Sequence, residues 1–294
     1  MKRAISIFLC TLLCFCVAGC ATKAAREEGK LNIVATSFPE YDFARAVAGD
    51  LANICMLLAP GASAHSFDPS PADILRIQNA DVFIYTGGEN DAWVENLLAA
   101  LNTSHTTVIC LMDYLESSGT DPHIWTSPKN ALQLLEAICN GIRKTDSIHA
   151  ETYSINAEQY REQLVAIDEE LTEIVINGTR NKIIVADRFP FYYLATDYGL
   201  DYEAAFSGCS DQADAGAKTL KRLVDVVTEE KIPYIYYVEL SNRRVAEAVS
   251  EQTGAGMLLL HSCHNVTKTD FESGVTYVDL MHQNLIHLKM GLSE

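Results

Sequence analysis

The chain has 294 residues, 48% of them apolar and 21% charged, which is enough material for two ordinary cores and too apolar for a disordered polypeptide. Its formal charge of −17 argues against a nucleic-acid partner, because phosphate contacts need clusters of lysine and arginine. A negative field instead concentrates cations around the protein, although simple solubility accounts for the charge equally well.

The chain begins with Lys2 and Arg3 ahead of an apolar run from Ile5 to Val17. That run is too short to cross a bilayer comfortably and reads as an export leader over residues 1–19. It closes on Val17-Ala18-Gly19-Cys20, which resembles a bacterial lipobox. In that reading Cys20 is acylated and becomes the new N-terminus; the plainer alternative is an ordinary signal peptide with an incidental cysteine. Residues 20–30 are polar, lack periodicity and read as a lipid-anchored tether. Of nine cysteines, Cys10, Cys14, Cys16 and Cys20 belong to this segment. The odd remainder, Cys55, Cys110, Cys139, Cys209 and Cys263, requires at least one free thiol or an intermolecular bond. The first three sit among apolar residues as core thiols, while Cys209 and Cys263 fall in polar turns near candidate site residues and form either a candidate pair or groups that back the site.

Alternation then begins. Strands are expected at Leu31 to Thr36, Ile54 to Leu58, Asp81 to Thr86 and Thr107 to Leu111, with helices at Tyr41 to Leu51, from Asp73, and at Trp93 to Leu101. Strands and helices in this order imply βαβ units and a mostly parallel sheet. After an amphipathic helix from Pro128 to Arg143 comes the longest helical pattern, about Ala150 to Ile176. Its apolar residues recur at three- and four-residue steps, and Asn177-Gly178 stops it. At 1.5 Å per residue it is roughly 40 Å long, a strut and not a hinge. The alternation restarts with strands at Lys182 to Ala186, Tyr202 to Phe206, Tyr234 to Glu239 and Met257 to Leu260. Helices are expected at Phe191 to Tyr198, Ala217 to Glu229, Arg243 to Thr253 and Tyr277 to Met290. The expected fold is therefore α/β: two lobes, residues 31–146 and 179–294, each a mostly parallel sheet with flanking helices, joined by one long rigid helix within 147–178.

Ligands of open α/β sheets collect outside the carboxyl ends of the strands, and several histidines fall in such loops. His65 follows the second strand, and His261 and His264 follow the last. His123 stands in Asp121-Pro122-His123-Ile124-Trp125, where proline stiffens the corner and an aromatic residue walls one side. Neutral imidazole is a common zinc ligand. His105, His149, His282 and His287 read as ordinary solvated residues.

Together with Ala35-Thr36-Ser37-Phe38-Pro39, His65-Ser66-Phe67-Asp68-Pro69-Ser70-Pro71, Tyr198-Gly199-Leu200 and Gly274-Val275-Thr276-Tyr277, that corner resembles the metal-binding lipoproteins of ABC importers, the cluster A-I (cluster 9) solute-binding proteins of zinc or manganese type. The resemblance covers nearly the whole chain beyond the leader, in order. It implies two α/β lobes bridged by one long helix, with metal ligands at His65 and His123. The family's third histidine falls on Arg188, which offers no lone pair and cannot ligate. The fourth family ligand, an acidic residue, falls in His261-Ser262-Cys263-His264, and alignment on Leu260 and Val266-Thr267 favours His264. His65, His123 and His264 are thus the expected ligands, with water, Asp187, Glu239 or His261 completing the shell and Arg188 pairing with Glu239 or Asp187 behind it. Three imidazoles suit Zn2+ better than Mn2+, whose sites favour carboxylate oxygen.

The function so implied is capture of a divalent metal at the outer face of the cell membrane, from a lipid anchor at Cys20, for an ABC permease and its ATPase. No catalysis is expected of the chain. A lipid-anchored zinc hydrolase is the alternative from another class, since three histidines and a water also make a catalytic zinc site. It would need Glu239 as general base, and no His-Glu-x-x-His motif occurs. A metal-binding adhesin or chaperone without a permease is the other alternative.

Overall fold

The structure, a computed structural model, describes residues 29–88, 91–115, 121–208 and 216–293, and only the main chain of residue 65. The leader, Cys20, most of the tether and Cys209 lie outside these. Two four-stranded sheets carry the fold. The first contains β1 (Leu31–Ala35), β2 (Ala52–Met56), β3 (Val82–Tyr85) and β4 (Thr107–Cys110); the second contains β5 (Lys182–Val185), β6 (Asp201–Ala204), β7 (Tyr234–Tyr237) and β8 (Gly256–Leu259). The strand orders are β2-β1-β3-β4 and β6-β5-β7-β8, and every pairing is parallel. The lobes therefore repeat one topology. Parallel strands need crossovers, and the crossover helices cover both faces of each sheet.

Those helices are α1 (Phe38–Ala48), α2 (Pro71–Gln78), α3 (Ala92–Ala100) and α4 (Pro128–Thr145), then α5 (Ala150–Asn177), and after it α6 (Tyr192–Tyr198), α7 (Ala217–Glu229), α8 (Arg244–Thr253), α9 (Lys268–Ser273) and α10 (Tyr277–Ser293). The expected strands and long helices are all present, with ends shifted by a few residues. The largest shift is at α1, which starts at Phe38 because Ser37 and Glu40 form a capping box with Pro39 in the first turn, local chemistry that overrides the apolar spacing. Helix α9 was not anticipated: it has six residues and buries none of them, so hydrophobic periodicity is blind to it.

Helix α5 links the lobes and runs 28 residues, burying Tyr153, Tyr160, Leu164, Ile167, Leu171 and Ile174. Gly178 stops it with an extended backbone, φ −65°, and not with the left-handed turn that a terminal glycine often supplies. Glycine is needed there for closeness, since a Cβ would lie 2.9 Å from the Arg180 carbonyl and 3.2 Å from those of Ile174 and Leu292.

The main buried cluster does not stop at a lobe boundary. It runs from Ile33 and Ile84 of the first sheet through Phe43, Leu164 and Leu285 to Ile183, Val185 and Leu258 of the second, and two smaller clusters fill the outer faces around Ile77 and Val94 and around Leu223 and Val249. Between the sheets lies a shared helical layer that includes α1, α5 and α10. At its centre Asp42 accepts hydrogen bonds from Arg45, from the Tyr160 hydroxyl and, at 2.8 Å, from the Tyr277 main-chain N–H. Burial pushes this carboxyl up from its usual range despite the Arg45 charge beside it. A common core with a buried polar knot resists independent motion of the lobes.

Candidate metal centre

The strand ends of both sheets converge on one cleft of about 530 Å³, open to solvent, whose walls include Ser63, Ala64, His123, Arg188, Glu239 and His264. Each wall is set by local chemistry. At Asp121-Pro122-His123 the aspartate Oδ1 takes the His123 main-chain N–H at 2.9 Å and faces the ring Nδ1 at 2.8 Å. An aspartate two residues back bonding the main chain is an Asx turn. A carboxylate on Nδ1 places the neutral ring's lone pair on Nε2, the usual support for a metal-ligating histidine. The His123 side chain is 2% exposed.

The loop after β8 supplies the facing wall. The rings of His123 and His264 are edge to face with centroids 5.3 Å apart, and Trp125 lies 5.5 Å from His123 and 5.0 Å from His264. Ahead of His264, Cys263 adopts a left-handed φ of 60°, a conformation that costs an L-residue about 1 kcal/mol or more. The Cys263 N–H donates to Nδ1 of His261 at 2.9 Å, and the His261 main chain is clamped by Asn284 through bonds of 2.7 and 2.8 Å. His261 thus accepts at Nδ1, which puts the hydrogen of its neutral ring on Nε2. Cys263 is a buried free thiol, and burial pushes its pKa well up, so it is not a thiolate donor.

Glu239, after β7, is engaged: Oε2 accepts the Ser262 N–H at 2.8 Å and Oε1 accepts the Ser262 hydroxyl. Asp187 caps the Arg188 and Val238 N–H groups at 2.8 and 3.2 Å. Arg188 reaches Glu239 through its main-chain carbonyl, at 2.9 Å, and not through the carboxylate that sequence reasoning offered it. His65 lies in a single 3-10 turn, Ala64–Ser66. The segment leading into that turn is stitched across the cleft: Asn265 donates to the carbonyls of Ala59 and Ala62 at 2.9 Å, and Gly61 N–H to Val266 at 2.8 Å. Among the described residues no three His, Cys, Asp or Glu side chains gather as a metal cluster, the His65 side chain not being among them. His105 bonds a main-chain carbonyl, His149 bonds Asp146 and His287 bonds the Leu259 carbonyl, all away from the cleft.

Sequence reasoning missed Asp121, Ser262 and Asn265 as supports. Only Asp121 carried a readable signal, an acidic residue two positions before a candidate ligand.

Behind the cleft lie two carboxylates with no basic partner among the described residues. Glu40 is fully buried and accepts from Ser37 and Thr86; Asp91 accepts the Thr86 and Gly87 N–H groups at 2.9 and 3.0 Å. Burial first, and then the Glu40 charge, push the Asp91 carboxyl up to about 7. The folded protein therefore holds this proton more tightly than the unfolded chain, and the associated stability is lost as pH rises from about 4 through about 7. Asp91→Asn should lose that slope and unfold at higher urea than the parent at pH 8, by up to a few kcal/mol, with little difference at pH 4.

A family model described as zinc-uptake complex component A, periplasmic, matches residues 33–291. The zinc-binding lipoprotein AdcA of Streptococcus pneumoniae is 33% identical over 308 residues, covering 98% of this chain and 61% of that protein; the chain thus spans about three-fifths of that relative's length. The crystal structure of the Zn(II)-bound ZnuA-like domain of the same protein superposes with a TM-score of 0.79 at 33% identity, covering 90% of this chain and all of that one. The metal-dependent lipoprotein YcdH of Bacillus subtilis gives 0.82 at 28% identity, with coverage of 90% and 100%.

Proposed function

We propose, from the premise that the chain belongs to the family of the periplasmic zinc-uptake component A, that it captures a divalent metal, zinc ahead of manganese, outside the cytoplasmic membrane for import. That family consists of transport receptors and not enzymes. The observation that carries the reading is the His123–His264 pair at the sheet ends, with His123 oriented by Asp121. His65 joins them as third ligand from the stitched loop. His264 and not His261 serves from the second lobe, because the His261 ring nitrogen that would bear a lone pair already accepts the Cys263 N–H. An imidazole-dominated set favours zinc over manganese. The chain is held at the outer face by a lipid on Cys20 and delivers the ion to an ABC permease driven by an ATPase. A hydrolase reading finds no support in Glu239, whose two oxygens are occupied by Ser262. An adhesive role beside import is the second reading, favoured by the similarity, at 25% identity and a TM-score of 0.79, to the laminin-binding protein Lmb of Streptococcus agalactiae, which is described as a bifunctional protein with adhesin and metal transporting activity.

The test is competitive titration of metal-stripped protein with zinc and manganese, with metal content per chain read afterwards by mass spectrometry. One zinc per chain, retained against an excess of manganese, is expected. Absence of stoichiometric binding of either ion would refute the reading.

A further inference from the structure

Resting on that reading, we propose that the site takes its metal together with a small oxyanion, a carboxylate or bicarbonate, which completes the coordination sphere and is held on its far side by the Arg188 guanidinium. Arg188 lines the same cleft as His123 and His264, and its place is fixed by the 2.9 Å bond from Nη2 to the Glu239 carbonyl. No salt bridge to Arg188 is present among the described residues. The Glu239 carboxylate is hydrogen-bonded to Ser262 and that of Asp187 to main-chain N–H groups, so neither is hydrogen-bonded to the guanidinium. A guanidinium is permanently charged and carries five N–H donors in a planar fork, of which the Glu239 carbonyl uses one direction.

A metal held by His65, His123 and His264 has three protein donors, whereas zinc takes four. The arginine cannot be the fourth, and beside a bare dication it repels. An oxyanion resolves both difficulties. One oxygen donates a lone pair to the metal, and another accepts from Arg188 in the charge-assisted geometry that favours arginine over lysine for such anions. Its negative charge stands between two positive ones. Beside the two histidines and Arg188 the cleft is open to solvent, so a small anion can enter it. No covalent or redox step is involved, only exchange of ligands.

The test measures zinc affinity of the metal-stripped full chain against a chromophoric chelator in carbonate-free buffer, with ionic strength held by perchlorate. Sodium bicarbonate or sodium acetate is then added, the free-zinc scale being corrected for each anion. The expected result is a tightening of roughly tenfold or more in the parent, with an accompanying change in the visible spectrum of the cobalt-loaded protein. Bicarbonate acting alone would identify that anion, and both acting would identify small oxyanions as a class. Arg188→Gln is expected to lose the anion response and to bind zinc more tightly than the parent without anion, since the repulsive charge is gone. Zinc binding that is indifferent to both anions, or an anion response that survives in Arg188→Gln, would overturn the proposal while leaving the zinc reading intact. Failure to bind zinc in every buffer would overturn the zinc reading itself.

Discussion

Replacing His123 by alanine is expected to weaken zinc binding by at least about 100-fold, because loss of outer supports alone costs 10–100-fold at metal sites and a ligand counts for more. The ring contributes more than one donor atom. Its Nδ1 side is set by Asp121 and its face by Trp125 and His264, so the lone pair is aimed before the metal arrives and little ordering remains for binding to supply. The substitution also opens space at a buried position, so the apo protein should unfold somewhat earlier, by about 1–3 kcal/mol. The two effects separate cleanly: urea unfolding in chelator reports the fold alone, and zinc titration of the folded variant reports the site. A variant that folds as stated but keeps the parent's zinc affinity would remove His123 from the ligand set.

Trp125→Ala should cause the largest loss of stability of any single change at the cleft, about 3–5 kcal/mol, the range for deleting a buried large aromatic side chain. Trp125 is 1% exposed, its indole N–H donates to the Ser262 carbonyl at 2.8 Å, and its own carbonyl accepts the Tyr277 hydroxyl at 2.7 Å. The first of these bonds joins the corner of one lobe to the loop of the other. Deleting the ring leaves the Ser262 carbonyl without its donor and takes the wall from both histidines. Zinc affinity should therefore drop together with stability. Trp125→Phe keeps most of the wall and loses the N–H, and should cost about 1 kcal/mol. Equal unfolding midpoints for the alanine variant and the parent would show that the cleft does not depend on this ring.

Periodicity revealed the strands and long helices because each buries a defined face: Leu164, Ile167, Leu171 and Ile174 repeat at helical steps, and the core strands are short apolar runs. It failed where ends are set by side-chain oxygens, as at Ser37 and Glu40, or where nothing is buried, as in α9. At the site, residue types and their post-strand positions were readable, and so was the corner that holds His123. The choice between His264 and His261 turns on the left-handed backbone at Cys263 and the tautomer it imposes. The direction of Arg188 turns on a main-chain carbonyl. Neither is encoded in spacing.

The Asp42 knot bears on the order in which the molecule comes into being. Asp42 bonds Tyr277 across 235 positions of sequence, and Tyr277 bonds Trp125 across 152. A chain made from its amino end exposes every residue of the first sheet long before these partners exist. That sheet can pair its strands early and pack them against α1 and α4, yet Asp42 and Trp125 lack their Tyr277 partner until α10 arrives, and contacts this distant are slow to close. The knot thus stays open for much of the chain's synthesis: the Asp121 turn can shape the histidine corner at once, but the support behind Trp125 arrives only with a segment made much later.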